Sequence, residues 1–264
     1  MSLNRIAIYG HRGWVGSSVL RALTATGAPI KVVHRVGSDI SSLPAGVTTA
    51  AVDLDNAHSL IPALQDIDIV LNIHEIEEAA KAAGVPTTVV LAGAFAESSL
   101  ASPILGVDVA GNRIIHTGDS ANQQLSVCTR NYVAAAYASM FAGTPPAELQ
   151  GRAIGISEFK ATGEEIFSVL KEKNGVEPQR FMHSLEKAKA EIDHCIEAGS
   201  PTALSWHCRK AWGLGDIVKG LGEDIWEVAD YKKATLVELL LGGKLEPYKA
   251  IPSQVKQLFD SAFH

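Results

Sequence analysis

The stretch "YGHRGWVGSSVLRAL", Tyr9 to Leu23, most narrows what this chain can fold into. Gly10, Gly13 and Gly16 stand three apart, after the apolar run "RIAIYG" and at the head of a run with Val15, Val19 and Leu23 on one helical face. The pattern predicts a strand, a glycine turn and a helix that stops at Gly27. Gly10 would permit the tight reversal, Gly13 a close approach of backbone to a diphosphate, and Gly16 close packing of helix on strand. Free N–H groups at the helix start, aided by the helix dipole, then favour an anion. A glycine turn between packed elements remains the simpler alternative. The strand before the turn, the helix after it and a second strand beyond favour dinucleotide binding.

The following residues keep alternating. "APIKVVHR" reads as a second strand, "VTTAAVDL" as a third, "NAHSLIPALQ" as a helix and "DIDIVLNI" as a fourth strand. "EIEEAAKAAG" reads as a helix closed by Gly84, and "VPTTVVLAGAF" as a fifth strand. This order predicts right-handed crossovers and a Rossmann-like, doubly wound parallel sheet in an α/β fold. Continuous apolar strands fit a sheet covered on both faces. Beyond Ser98 the alternation loosens into short strands, a helix from Arg130, and a strand and helix in "GRAIGISEFKATGEEIFSVLKEKNG". There Thr162 and Glu165 form a capping box. The remainder, from Glu177, reads as helical, with breaks at Pro201, Gly242, Pro247 and Pro252. The expected division is a dinucleotide-binding domain over 1–150, with some later strands returning to it, and a smaller, mostly helical substrate lobe over 151–264.

The end of the second strand bears on which dinucleotide is bound. An acidic residue there would accept from the ribose hydroxyls of NAD. This chain has His34 and Arg35 instead, and a guanidinium can fork onto a 2′-phosphate. NADP(H) is therefore the expected cofactor, with Arg12 a second candidate for its phosphate and a solvated surface charge the alternative for Arg35. Asp53, after the third strand, could accept from the adenine amino group. Trp14, Val15, Leu54 and Asn72 complete the expected cofactor contacts.

Of 264 residues 47% are hydrophobic and 20% charged, the profile of a globular protein, and the formal net charge of -6 argues against non-specific nucleic-acid binding. No run reaches the roughly 18 apolar residues that span a bilayer. The chain enters a strand directly, so no signal peptide is expected. Cys128, Cys195 and Cys208 are odd in number and far apart, which suits a reducing, cytoplasmic setting. The pairs His194–Cys195 and His207–Cys208 put neighbours about 100° apart on a helix, so no metal site is expected.

The glycine loop, "VVHR" and "VTTAAVDLDNAHSLIPALQDIDIVLNI" together resemble the NmrA-like, atypical short-chain dehydrogenases. "AAKAAGV", "PTTVVLAGAFAES" and "GRAIGISEFKATGEEI" are similar to later parts of that family; the likeness is densest to Ser98 and thinner to Gly175. The resemblance implies an NADP-type Rossmann domain whose lobe closes over a substrate cleft. It implies a reductase of small metabolites or a redox sensor with a protein partner. One departure stands out. Between the fourth strand and "VPTTVVLAGAF" such proteins usually carry a further strand, loop and helix, often with the catalytic Tyr or Lys. Here that unit is missing, and no Tyr-x-x-x-Lys occurs.

Proton-donor candidates must therefore come from elsewhere near the strand ends. His74 is the first choice, with Glu75 or Glu77 to orient it, and Lys81 stands seven residues on. A loop histidine and a solvated lysine are the plain alternatives. Phe95, Tyr132, Trp206 and Trp212 could line an apolar substrate pocket, although each could equally be core. The simplest function is NADP(H)-dependent reduction of an iminium, conjugated alkene or carbonyl in a small molecule. A non-redox isomerase, dehydratase or cyclase, and a catalytically silent sensor, are the alternatives. A homodimer or a protein partner stays open.

Overall fold

The computed structural model describes residues 2–53, 56–72 and 84–264. They form two compact units, the first made of Met1–Val90, Arg130–Ile154 and Trp226–Tyr231, the second of Leu91–Thr129, Gly155–Ile225 and Lys232–His264.

The first unit holds β1 (Ile6–Tyr9), α1 (Gly16–Ala25), β2 (Ile30–Arg35), β3 (Thr48–Val52), α2 (Ala57–Leu64) and β4 (Ile69–Asn72). The strands form one parallel sheet in the order β3-β2-β1-β4. Strand alternation sends Ile6, Ile8, Ile30 and Val32 to one face, where they pack with Val19, Leu20 and Leu23 of α1. A later helix, α3 (Arg130–Gly143), covers the same face through Ala134, Ala138 and Phe141. Ala7, Val33 and Val52 point the other way, onto Ala63, Leu60 and Leu64 of α2. Helices on both faces make this the expected doubly wound architecture. α1 closes where expected, with Thr26 as C-cap and its hydroxyl donating to the Leu23 carbonyl at 2.6 Å.

The first unit also takes in β5 (Val89–Ala92) as far as Val90. The second unit carries β6 (Ala94–Phe95), β7 (Val107–Asp108), β8 (Arg113–Thr117) and β9 (Gln124–Cys128). β10 (Ala153–Ile156) leads into it, followed by β11 (Phe159–Thr162) and α4 (Gly163–Asn174), then β12 (Gln179–His183). Helices α5 (Leu185–Glu197), α6 (Ala203–Gly213), α7 (Leu236–Leu240) and α8 (Ser253–Asp260) follow, and short helical turns at Ala96–Ser99 and Asp216–Lys219 also belong to it. Its strands make two three-stranded sheets, β11-β9-β6 and β12-β8-β7, while β5 pairs with β10. The capping box of α4 is present: Thr162 Oγ1 accepts from the Glu165 N–H at 3.2 Å, and Glu165 accepts from the Thr162 N–H at 2.7 Å.

Three expectations need correction. No single cut at 150 separates the units, because Leu91–Thr129 belongs to the second unit, while Trp226 and Tyr231 return to the first and pack on α3 through Ser139 and Tyr132. The second unit is neither the smaller one nor mostly helical, since it holds both three-stranded sheets. The tail read as helical contains β12, paired in parallel with β8 from Gln179↔Arg113 to His183↔Thr117. Among the described residues the four-stranded sheet stops at β4, which pairs only with β1.

Candidate functional site

The glycine turn lies at the C-terminal end of β1, the sheet end where ligands of open parallel sheets bind. Gly10 adopts φ 85°, a conformation that disfavours any side chain, and its carbonyl accepts from the Gly13 N–H at 3.0 Å. A Cβ on Gly13 would lie 3.2 Å from that same carbonyl oxygen, so the turn is tight. Gly16 is buried as the first residue of α1. The helix starts without a side-chain cap and without an acidic residue in its first turn. No carboxylate of its own first turn therefore offsets the N-terminal dipole, which suits an anion site.

Basic side chains gather beside this turn. Arg12 and Arg35 are both exposed, Arg12 in the turn and Arg35 at the end of β2. His11 and His34 are buried, each at 8% exposure. The Nδ1 of His34 lies 3.0 Å from the Arg35 carbonyl oxygen, which only accepts, so that nitrogen carries hydrogen. Burial above all, then His34 and Arg12, holds the His11 imidazole below the ordinary histidine range. Asp39 stands nearby, its carboxyl held below the usual range chiefly by the Ser41 backbone N–H at 2.9 Å, with Arg12 contributing.

The remaining cofactor candidates also occur at this end of the sheet. Trp14 is half-buried, with the Arg130 guanidinium 5.1 Å from its ring centroid, and Val15 packs on the core under α1. Asp53 is exposed, and its backbone is tied to the Ser59 hydroxyl at 3.0 and 2.7 Å. Asn72 ends β4 opposite Tyr9. Leu54, His74, Lys81, Glu75 and Glu77 lie outside the described residues.

The four aromatic candidates for a substrate pocket are divided between the two units. Tyr132 is fully buried in the first unit, edge-on to Tyr231 at 5.2 Å. Trp212 belongs to the main core of the second unit and donates to the Gln123 carbonyl at 2.9 Å. Trp206 sits in a separate cluster there, under the Arg209 guanidinium at 3.7 Å. Phe95, in β6, is half-buried. A cavity of about 550 Å³ in the second unit is lined by Phe159, Ala161, Val169, Leu236 and Val237, and by none of these four.

His11, buried in the turn, is a residue that the sequence reading did not single out. Its signal was its place between the first glycine and Arg12, two residues past the end of β1. Cys128 offers no nucleophile, since burial pushes its thiol up to about 11. Among the described residues no three His, Cys, Asp or Glu side chains gather as metal ligands, and no helix is long and apolar enough to cross a membrane.

No protein-family model matches this chain, and no curated protein matches its sequence. Solved structures do match its fold. AtPrR2 with NADP+ and (+)-pinoresinol is 16% identical at a TM-score of 0.72, over 91% of this chain and 98% of that one. An isoflavone reductase is 17% identical at a TM-score of 0.70, over 91% and 99%. The NADPH-dependent quinone oxidoreductase QOR2 from Escherichia coli, complexed with NADPH, is 19% identical at a TM-score of 0.61, over 90% and 99%. These neighbours belong to the NmrA-like, atypical short-chain dehydrogenase group. At such identities the likeness establishes a shared Rossmann-like α/β fold.

Proposed function

We propose that this chain binds NADP(H) on the Gly10–Gly16 turn and reduces a small, electron-poor metabolite. The carrying observation is the turn itself: a tight, uncapped helix entrance at a parallel-strand end, with two exposed guanidiniums beside it. Gly10, Gly13 and Gly16 would seat the diphosphate, with Trp14 and Val15 over it. Arg35 and Arg12 would hold the 2′-phosphate, and His34, Asp53 and Leu54 would border the adenosine. Asn72, at the end of β4, would face the nicotinamide half. The fold likeness supports the reading, because AtPrR2 and QOR2 carry NADP+ and NADPH on the same architecture.

When bound, NADPH supplies a hydride to an electron-deficient carbon. The chain's residues must then orient the substrate, exclude water and, for a carbonyl, deliver a proton to the oxygen. The absence of a Tyr-x-x-x-Lys segment favours iminium and conjugated-alkene substrates over simple carbonyls, since they need less help at the reacting atom. His74 and Lys81 are the proposed donors. The test is loss of NADPH absorbance with a panel of cyclic imines, enones and quinones. Turnover with at least one class is expected, and silence on every class by protein that binds NADPH would overturn the reductase assignment.

The same missing segment favours a second reading, in which the chain binds the dinucleotide without turnover and signals its redox state to a protein partner. That reading predicts unequal affinities for NADP+ and NADPH, because equal binding cannot shift a conformational equilibrium. Product formed without any nicotinamide would instead mark a non-redox isomerase, dehydratase or cyclase.

A further inference from the structure

Arg209, on α6 of the second unit, is a buried cation without a partner. It is 2% exposed, and its Nε and Nη1 have no hydrogen-bond acceptor. Among the described residues no carboxylate pairs with it; Glu191 of α5 acts on it only from a distance. Other arginines of this unit are paired, Arg113 with Asp108 at 2.6 Å and Arg180 with Glu164. A charge withdrawn from water is strongly destabilising unless an opposite charge and hydrogen bonds meet it. Burial pushes the Arg209 guanidinium down to about 10, which leaves it charged at neutral pH.

The fold fixes where this charge points. Its stem passes Gly106, where a Cβ would come 3.3 Å from Arg209 Cδ and 2.9 Å from Ile115 Cβ. Helical side chains lean toward the helix N-terminus, and the Arg209 Cζ accordingly lies 3.7 Å from the ring centre of Trp206, one turn earlier. That cation–π contact holds the charge without cancelling it. The start of α6, toward which it leans, is also short of negative charge. The helix begins without a side-chain cap and with no acidic residue in its first turn. The hydroxyl of its N-cap residue Thr202 is 2.8 Å from Ser200 Oγ and 3.4 Å from Cys195 Sγ, and Cys195 lies within electrostatic reach of Arg209. We propose that Arg209 and the start of α6 form a binding site for a small oxyanion, the phosphate or carboxylate group of a metabolite. The oxyanion accepts from the guanidinium and from the Thr202 and Ser200 hydroxyls, and it faces the positive end of α6. The site does not depend on the dinucleotide reading.

The melting temperature of the full chain at pH 7.5 in HEPES, followed against sodium phosphate, sodium acetate and sodium chloride at equal ionic strength, tests this. Wild type should gain roughly 3–5 °C beyond the chloride response, saturating at tenfold excess over the dissociation constant. Whichever of phosphate and acetate saturates at the lower concentration identifies the preferred group. Arg209→Met should lose this gain, and without added anion it should melt no lower than wild type, because it buries no unpaired charge. An arginine with a purely structural role gives the reverse, a lower starting melting temperature with the anion response intact. Phosphate that binds at the glycine turn raises both proteins alike and drops out of the comparison. Thr202→Val removes one donor and should raise the midpoint concentration roughly three- to tenfold. No gain beyond chloride in wild type, or the same gain in Arg209→Met, overturns the site. Should Arg209→Met fail to fold, an unchanged midpoint in Thr202→Val overturns it.

Discussion

Replacing Arg35 with Ala tests which phosphate the site selects. Arg35 is exposed at the end of β2, so its truncation should cost the fold within about 0.5 kcal/mol. Its effect on binding is larger. A guanidinium about 4 Å from a phosphate dianion gains roughly 2 kcal/mol in a water-like dielectric, and physiological salt reduces that to about 1.3. A charge-assisted hydrogen bond adds about 1 kcal/mol net at such a wet position. The sum, roughly 2 kcal/mol, weakens NADP+ binding about thirtyfold. NAD+ has no 2′-phosphate, so its affinity should change by less than about twofold under the same reasoning. Titration calorimetry of both dinucleotides against wild type and Arg35→Ala gives the four affinities needed. Equal weakening of NADP+ and NAD+ would refute the assignment of Arg35, and a larger selective loss in Arg12→Ala would move the phosphate to that residue.

Two further predictions concern the second unit. Glu158 is 4% exposed and accepts from the backbone N–H groups of Thr129 at 2.6 Å and Ala234 at 2.8 Å. Glu158→Ala leaves two donors without their acceptor and should cost about 2–4 kcal/mol in urea unfolding; a loss under about 0.5 kcal/mol would show the staple to be dispensable. His183 is 3% exposed, and burial pushes its imidazole down to about 4. Its folded pKa lies below the unfolded value, so the stability it contributes is complete above about pH 6.5 and is lost as pH falls toward 4. His183→Gln should flatten the acid side of the melting curve in that window; an unchanged slope would exclude His183 as its source.

The fold was legible where its signals are local. Gly10, Thr26–Gly27, Asn56 before α2 and the Thr162–Glu165 box each mark a turn or cap within a few residues. The apolar runs of β1 and β2 matched a sheet buried on both faces. β12 was not legible because its short, mixed run "QRFMH" is ordered by pairing with β8, far away in sequence. "GRAIGISEF" read as one strand, yet β10 and β11 are separated where Ser157 and Glu158 turn into buried hydrogen bonds. Tyr132, Trp206 and Trp212 show a different limit. An aromatic residue that fills a core and one that lines a pocket carry the same side chain, and only tertiary packing separates them. In the site, the glycines and Arg35 were visible as a spacing and a charge at a strand end. The burial of His11, two residues past β1, was not, since it depends on tertiary packing.

The central claim, that the Gly10–Gly16 turn seats an NADP-type dinucleotide, is met most directly by the melting temperature with and without ligand. At a hundredfold excess over the dissociation constant, NADP+ should stabilise the protein by about 2.7 kcal/mol, raising the melting temperature by roughly 5–10 °C. A melting temperature unmoved by saturating NADP+, NADPH, NAD+ and NADH alike would contradict the claim.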